Sequence, residues 1–297
     1  MESGKVVKFL VIIFAVLTLI FSLLYFREEK QSSVLDEAFV SEAVANIRLR
    51  GIEIDDAVIM RKNPDRNIYV FECRDHQEYA ERIAAAFAKG FEKDMFTAKL
   101  STPTGFSLAL YDNTDKENEV GKFHFSQSDF GFVYSAVGNS ISTNARVIYG
   151  DEKKINTYKR SFIDRIISQL NNANDVSYKI TGCVFEDDYC IVSVLQNFKN
   201  IDVNDCYINF VFENDSLVHA VGSWVAYKPE PAYHEKLMDG INVLYKLELD
   251  SIKRIVGERI VFSLKKGNDN KYFIIPCWEI TAENKDGVTL KEYFDAF

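Results

Sequence analysis

The chain has 297 residues, of which 47% are hydrophobic and 27% are charged, so we expect a folded globular body rather than a disordered chain. The net charge of −9 and the lack of a basic cluster exclude the electrostatic pattern of a nucleic-acid-binding protein. Only 14 residues are glycine and 5 are proline, which excludes collagen-like or linker-rich sequence.

The start of the chain is its most apolar segment. Lys5 and Lys8 precede an unbroken apolar run at residues 9–26, and Arg27 follows it. At 1.5 Å per residue this run spans about 27 Å, which is enough to cross the hydrocarbon core of a membrane. The sequence therefore predicts an uncleaved signal anchor, a single transmembrane helix over 9–26. A cleaved secretory signal is the alternative, but the run does not end in an Ala-x-Ala-like site.

The basic residues on either side of this run predict its orientation. Lys5, Lys8 and the free amine lie before it, and Arg27 and Lys30 lie after it. The small excess before the run predicts a cytoplasmic tail at 1–8 and a body outside the cell membrane. The reverse orientation, with a cytosolic body, is the alternative. We expect an acidic body to stand away from anionic lipid.

Three residues of the run are small or weakly polar: Ala15, Thr18 and Ser22. Their spacing of three and four places them on one face of a helix. Because membrane helices associate through small and polar residues, we expect this face to contact the helix of a partner.

The first half of the body, residues 27–150, has the pattern of one extracytoplasmic α+β domain. Helical spacing of apolar residues predicts helices near 34–50 and 75–90. Strand patterns follow each helix, at 52–61 and 67–73 and then over 95–136.

The second half, residues 151–297, has the pattern of a second such domain. It is predicted to contain helices near 155–171 and 229–244, hairpins at 176–197 and 205–227, and a last hairpin at 252–281. The predicted fold class is therefore α+β, with a single N-terminal transmembrane helix followed by two helix-on-antiparallel-sheet domains.

One pair of cysteines is a candidate disulfide. A two-residue turn at Glu186-Asp187 would place Cys183 and Cys190 opposite each other on a hairpin, and outside the cytosol such neighbours can be oxidised. The alternative is a pair of small buried thiols.

Catalytic and metal-binding motifs are not visible in the sequence. None of the four histidines lies three or four residues from another, and the His234-Glu235 pair has Met238 where a zinc protease needs its second ligand. No glycine-rich phosphate loop occurs. We therefore expect no enzyme, no cofactor and no metal, although carboxylates from distant segments that face each other are not excluded by sequence.

The last 45 residues carry the most recognisable motifs. An apolar strand, Ile255 to Leu264, leads to Pro276-Cys277-Trp278-Glu279-Ile280, then to Asp286-Gly287 and finally to Tyr293-Phe294-Asp295-Ala296. This run resembles the terminal hairpin of the YycI-type (YycH/YycI) regulatory proteins and of the wider PepSY-like domains. Residues 34–150 resemble that family only in outline.

The resemblance implies a function without catalysis. The family consists of membrane-anchored accessory regulators of a cell-envelope sensor histidine kinase, which act by protein–protein contacts, and the resemblance implies the same role for this chain. The expected partners are thus the membrane, a sensor kinase and a homologous accessory protein. The alternative is a PepSY-like extracytoplasmic binding module for a peptide, a protease or a cell-wall component.

Overall fold

The fold is taken from a computed structural model, which describes residues 14, 17, 18, 37–60, 67–73, 76–91, 95–102, 105–126, 130–139, 141, 146–171, 175–186, 188–234, 237–248, 251–268 and 270–296. These residues fall into two compact units. The larger unit comprises the described residues of 67–235 and 261–277, and the smaller unit those of 1–66, 236–260 and 278–297. The predicted boundary between residues 150 and 151 falls within the larger unit, and the predicted domain limits stay predictions.

The α-helices described after residue 36 are α1 (Glu37–Leu49), α2 (His76–Gly90), α3 (Thr157–Leu170) and α4 (Gly240–Leu244). The strands are β1 (Glu53–Ile54), β2 (Asn67–Glu72), β3 (Met95–Thr102), β4 (Gly105–Asp112), β5 (Asp115–Phe125), β6 (Gly131–Ala136), β7 (Val176–Glu186), β8 (Tyr189–Phe198), β9 (Ile201–Glu213), β10 (Ser216–Ser223), β11 (Glu230–His234), β12 (Ile252–Lys266), β13 (Lys271–Asn284) and β14 (Thr289–Asp295).

The predicted fold class is wrong. The described part of the chain is mostly β-sheet, and its 14 strands form one mixed sheet instead of two helix-on-antiparallel-sheet domains. Strand β12 pairs in parallel with both β1 and β9. Strand β2 pairs with β13, about 200 residues further along the chain. Periodicity identifies strands one at a time, whereas strand order depends on such distant pairings, and that is why the prediction failed.

The single N-terminal transmembrane helix of that fold class is not seen either. Among the described residues no helix is long and apolar enough to cross a membrane. Of the predicted span at 9–26, the structure describes Phe14, Leu17 and Thr18, which are helical. The rest of the span and the tail at 1–8 lie outside the described residues.

The helix predicted at 229–244 is a strand near its start and a helix only at its end. Residues Glu230–His234 form β11, and only Gly240–Leu244 is helical. Strand β11 lies at the end of the sheet, where it pairs with β2 and has an irregularity between Pro231 and Tyr233. Because proline lacks an N–H group, an edge strand accommodates it where a central strand does not.

The core of the larger unit lies between the sheet and helices α2 and α3. Phe87 of α2 is fully buried, and its ring contacts Phe123 of β5 and Phe210 of β9 at centroid distances of 5.2 and 5.8 Å. Phe162 of α3 packs edge-on against Phe212 at 5.7 Å. Each such buried ring contributes about 2 kcal/mol to stability. We call the side of β5, β6, β9 and β10 that carries these rings the helix face.

The opposite side of these strands, the open face, is covered in part by the chain between β6 and α3, of which residues 137–139, 141 and 146–156 are described. Ile141 and Ile148 pack there against Ile191, Val211 and Val218. Side chains of the sheet hold the backbone of this crossing segment: Asn209 Nδ2 donates to the Arg146 carbonyl at 2.8 Å, and Ile148 N donates to Ser193 Oγ at 3.1 Å.

Trp278 and Glu258 are two of the buried side chains of the smaller unit that carry polar atoms. Trp278 on β13 is fully buried, and its indole Nε1 donates a hydrogen bond to the Met238 carbonyl at 2.8 Å. Glu258 on β12 is also buried, and its Oε2 accepts a hydrogen bond from Met60 N at 2.7 Å. Its Oε1 has no hydrogen-bond partner among the described residues and lies against Gly240. Burial raises the pKa of Glu258 to about 7.

We predict that Trp278→Ala lowers the free energy of unfolding by about 3–5 kcal/mol, because a fully buried indole is replaced by a cavity. Urea denaturation of the purified protein measures this change. Trp278→Phe is the control: it keeps an aromatic ring but removes the donor to Met238, so it should cost less. An unchanged midpoint for the alanine variant would contradict the buried position.

We predict that stability falls as the pH rises through 7 because of Glu258. Its pKa is higher in the folded state than in the unfolded chain, so its stabilising effect is complete below about pH 4.5 and is lost as the pH passes 7. The loss amounts to about 3 kcal/mol. Urea denaturation of the wild type and of Glu258→Gln at pH 5 and pH 8 tests this. The difference between the two proteins should change by that amount, and a constant difference would contradict the prediction.

Candidate binding groove

One edge of strand β9 is shared by two different strands. Its other edge pairs with β8 at residues 201–202 and 207–213, and the register shifts between these two stretches. On the shared edge, pairing with β10 ends at Ile208, and pairing with β12 is at Val203. Strands β10 and β12 therefore separate from each other beside residues 204–207, and a cleft opens there.

Side chains replace the ladder hydrogen bonds that this separation removes. Buried Gln196 bonds to both backbone groups of Val225, with Nε2 donating to the carbonyl at 2.9 Å and Oε1 accepting from the N–H at 3.0 Å. Asp205 Oδ2 accepts hydrogen bonds from Leu264 N at 2.9 Å and from Ser263 Oγ at 2.7 Å. An unpaired buried backbone group costs about 1–3 kcal/mol, so buried Gln196 stabilises the point of divergence. The exposed bonds of Asp205 join β9 to β12 at the same place.

The cleft continues onto the open face as a groove of about 560 Å³. Its floor is apolar because Val133 of β6 and Val221 of β10 lie directly opposite each other, and both are half-buried. His124 of β5 lies opposite Val133 and forms one side of the groove. Side chains alternate along a strand, so the residues between these ones point to the helix face instead.

The other side of the groove is formed by Tyr207 and Asp205 of β9 and by Leu264 of β12. Burial and the nearby charge of Asp205 raise the pKa of Tyr207, so its phenol stays protonated and can donate a hydrogen bond. The backbones of β9 and β10 come very close here. A Cβ atom added to Gly222 would lie 2.0 Å from the Tyr207 carbonyl oxygen, so only glycine fits at that position.

Two serine–histidine pairs hold the imidazoles of the open face. Ser107 Oγ is 2.8 Å from His124 Nδ1, and Ser135 Oγ is 3.2 Å from His219 Nδ1. Burial lowers the pKa of His219, which favours its neutral form. Ser107 is only 1% exposed, so its hydroxyl orients His124 and is not reachable by a substrate. The groove thus combines an apolar floor with fixed polar groups, which is an arrangement suited to binding.

No cluster of three or more metal-ligating side chains occurs among the described residues. The expectations of no metal, no cofactor and no catalysis stay predictions.

The predicted cysteine pair lies on the helix face, away from the groove. The structure does not place the two residues directly opposite each other: Cys183 faces Val192, and Cys190 faces Phe185. The register differs because Glu186 pairs with Tyr189, one position later than the predicted turn would give. As diagonal neighbours their Sγ atoms are nevertheless 3.2 Å apart, and both thiols are buried and free. Burial raises the pKa of Cys183. The disulfide stays a prediction.

The family-like motif residues occupy structural positions. Pro276, Trp278 and Ile280 lie on β13, Asp286 and Gly287 form the turn after it, and Asp295 ends β14. Gly287 has a φ of +78°, a conformation that glycine adopts without strain. None of these residues lines the groove.

Of the predicted helix-contact residues, Thr18 is described. Its Oγ1 donates to the Phe14 carbonyl at 2.8 Å, a bond within one helical turn. Ala15 and Ser22 lie outside the described residues, and the contact face stays a prediction.

Sequence reasoning did not identify the groove residues. His124, Val133, Tyr207 and Val221 come from four different strands, and nothing along the chain links them. One signal was present: in Lys122-Phe123-His124-Phe125 polar and aromatic residues alternate, as in a strand with one uncovered face.

No family model and no curated protein sequence matches this chain. Among solved structures it is similar to an uncharacterized protein from Eubacterium rectale ATCC 33656, with 9% identity, 83% of this chain and 88% of that chain covered, and a TM-score of 0.45. It is also similar to the YpeB C-terminal domain of Bacillus megaterium, with 9% identity, 76% and 93% covered, and a TM-score of 0.35. Likenesses this distant carry no argument about function. The YycI-like and PepSY-like relations stay predictions.

We predict that Gly222→Ala destabilises the protein by about 1–3 kcal/mol, because the new methyl group overlaps the Tyr207 carbonyl and forces β9 and β10 apart. Gly257→Ala is the matched control in a strand, since its Cβ would meet Thr281 only at 3.5 Å. Thermal unfolding of both variants tests this. Equal melting temperatures would contradict the close approach at Gly222.

Proposed function

We propose that the protein is a non-catalytic accessory regulator that acts by protein–protein contacts and holds a segment of its partner in the groove. The observation that carries this proposal is the groove itself, which is open, has an apolar floor and is bordered by polar groups. Such a surface binds a ligand by shape and by a few directed hydrogen bonds.

Rigidity of the groove supports this role. The crossing segment covers one part of the open face, and the side chains of Gln196, Asp205 and Ser107 fix the strands and rings around the remaining part. A groove that exists before its ligand arrives loses little conformational entropy on binding, which favours affinity.

The partner we propose first is a cell-envelope sensor histidine kinase, together with a homologous accessory protein. This choice comes from the resemblance of the last 45 residues to YycI-type regulators, and so does the expected location of the body outside the cell membrane. The second candidate function is a PepSY-like binding module for a peptide, a protease or a cell-wall component. The observation that supports it is the size of the groove, since about 560 Å³ is enough for a short free peptide without a larger protein attached.

We predict that Val221→Arg abolishes the partner contact, since the guanidinium would fill the floor of the groove. The full-length tagged protein would be cross-linked in bacterial cells that also express an envelope sensor histidine kinase, and phosphorylation of the response regulator would be measured in parallel. We expect at least a tenfold loss of cross-linked kinase.

Val137→Arg is the matched control. Val137 is 60% exposed, follows β6 and does not line the groove, so the same substitution there should leave the contact unchanged. If the Val221→Arg variant, present at the normal level, cross-links as much kinase as the wild type does, the proposed function is contradicted. Recovery of a peptidase in place of a kinase would favour the second candidate.

A further inference from the structure

The groove contains one carboxylate, that of Asp205. It is the only Asp or Glu among the residues that line the groove in the described part of the chain. Both groups that donate to its Oδ2, the Leu264 N–H and the Ser263 hydroxyl, are neutral. These two bonds hold the carboxylate in place, and no cation of the described residues forms an ion pair with it.

Nearby cations do not cancel this charge. Lys122 lies two residues before His124 on the same side of β5, but its Nζ is 3.1 Å from a Glu119 carboxylate oxygen. Lys265 lies on the same side of β12 as Ser263, but among the described residues no ion pair joins it to Asp205. The chain as a whole carries −9. Both the local and the overall charge therefore attract a cation and repel an anion.

The dimensions of the groove match a short extended segment. It crosses β5, β6, β10 and β9, and three spacings between neighbouring strands make about 14 Å. An extended peptide advances about 3.3 Å per residue, so about four residues fit. The apolar floor lies in the middle of this path, and Asp205 lies at its β9 end.

We propose that the groove selects a basic peptide segment of about four extended residues from the partner. A lysine or arginine of that segment pairs with Asp205, and an aliphatic or aromatic side chain next to it packs on Val133 and Val221. This inference rests on the proposed function and adds the chemistry of the bound segment.

An array of acetylated tetrapeptides, with one position varied at a time, tests the proposal with the full-length protein in a mild non-ionic detergent. We expect lysine and arginine to be preferred at one end position over glutamate, and an apolar residue to be preferred beside it. For an exposed ion pair the preference of lysine over norleucine should be about two- to fivefold, and it should shrink with added salt.

The variant Asp205→Asn separates charge from shape, because asparagine keeps an oxygen that can accept from Leu264 N. It should lose the preference for a basic residue and keep the preference for an apolar one. Glu213→Gln is the matched control, since Glu213 is an exposed carboxylate on the same strand outside the groove. It should behave like the wild type.

Three outcomes would overturn the inference. An apolar preference without a basic one removes the ion pair but leaves the proposed function intact. If the Asp205→Asn variant still prefers a basic residue, that preference comes from a site other than Asp205. No selection at any position removes peptide binding by the groove, and the cross-linking of Val221→Arg then decides the proposed function separately.

Discussion

The shared edge of β9 is the constraint on which the rest of the larger unit depends. A strand edge offers one row of hydrogen-bonding groups, and here two strands from distant parts of the chain use different portions of it. Where they diverge, backbone groups lose their ladder partners. The chain compensates with Gln196 on the core side and Asp205 beside the cleft. The same divergence that costs these hydrogen bonds creates the concave surface.

The two faces of the sheet have different physical roles. On the helix face, aromatic rings pack against α2 and α3 with little space left, and the gain in buried apolar area stabilises the fold. On the open face, the crossing segment covers only part of the strands, and polar residues alternate with valines over the remainder. Rigidity therefore comes from one face and accessibility from the other. A binding surface needs both.

Local features of this fold were predictable from the sequence, and distant ones were not. Helical spacing located α1, α2 and α3 to within a few residues, and turn residues located the hairpins. A two-residue turn at Asn214-Asp215 would pair Leu217 with Phe212 and His219 with Phe210, and the first of these pairs is present. An irregularity after Leu217 then shifts the register, so that His219 faces Val211 and not Phe210. Bulges, parallel pairings and the groove all depend on contacts between distant segments, which periodicity does not record.

The pairing of β2 affects how the protein folds during its synthesis on the ribosome. Its two neighbours are β11, at residues 230–234, and β13, whose pairing residues are 271–274. The chain grows from its amino end at about 5–20 residues per second, so β2 emerges roughly ten seconds or more before its last neighbour. During that interval Tyr69 and Phe71, which end up buried, have no sheet to enter. The larger unit is thus completed only when nearly the whole chain has been made, and until then the apolar strand β2 is exposed.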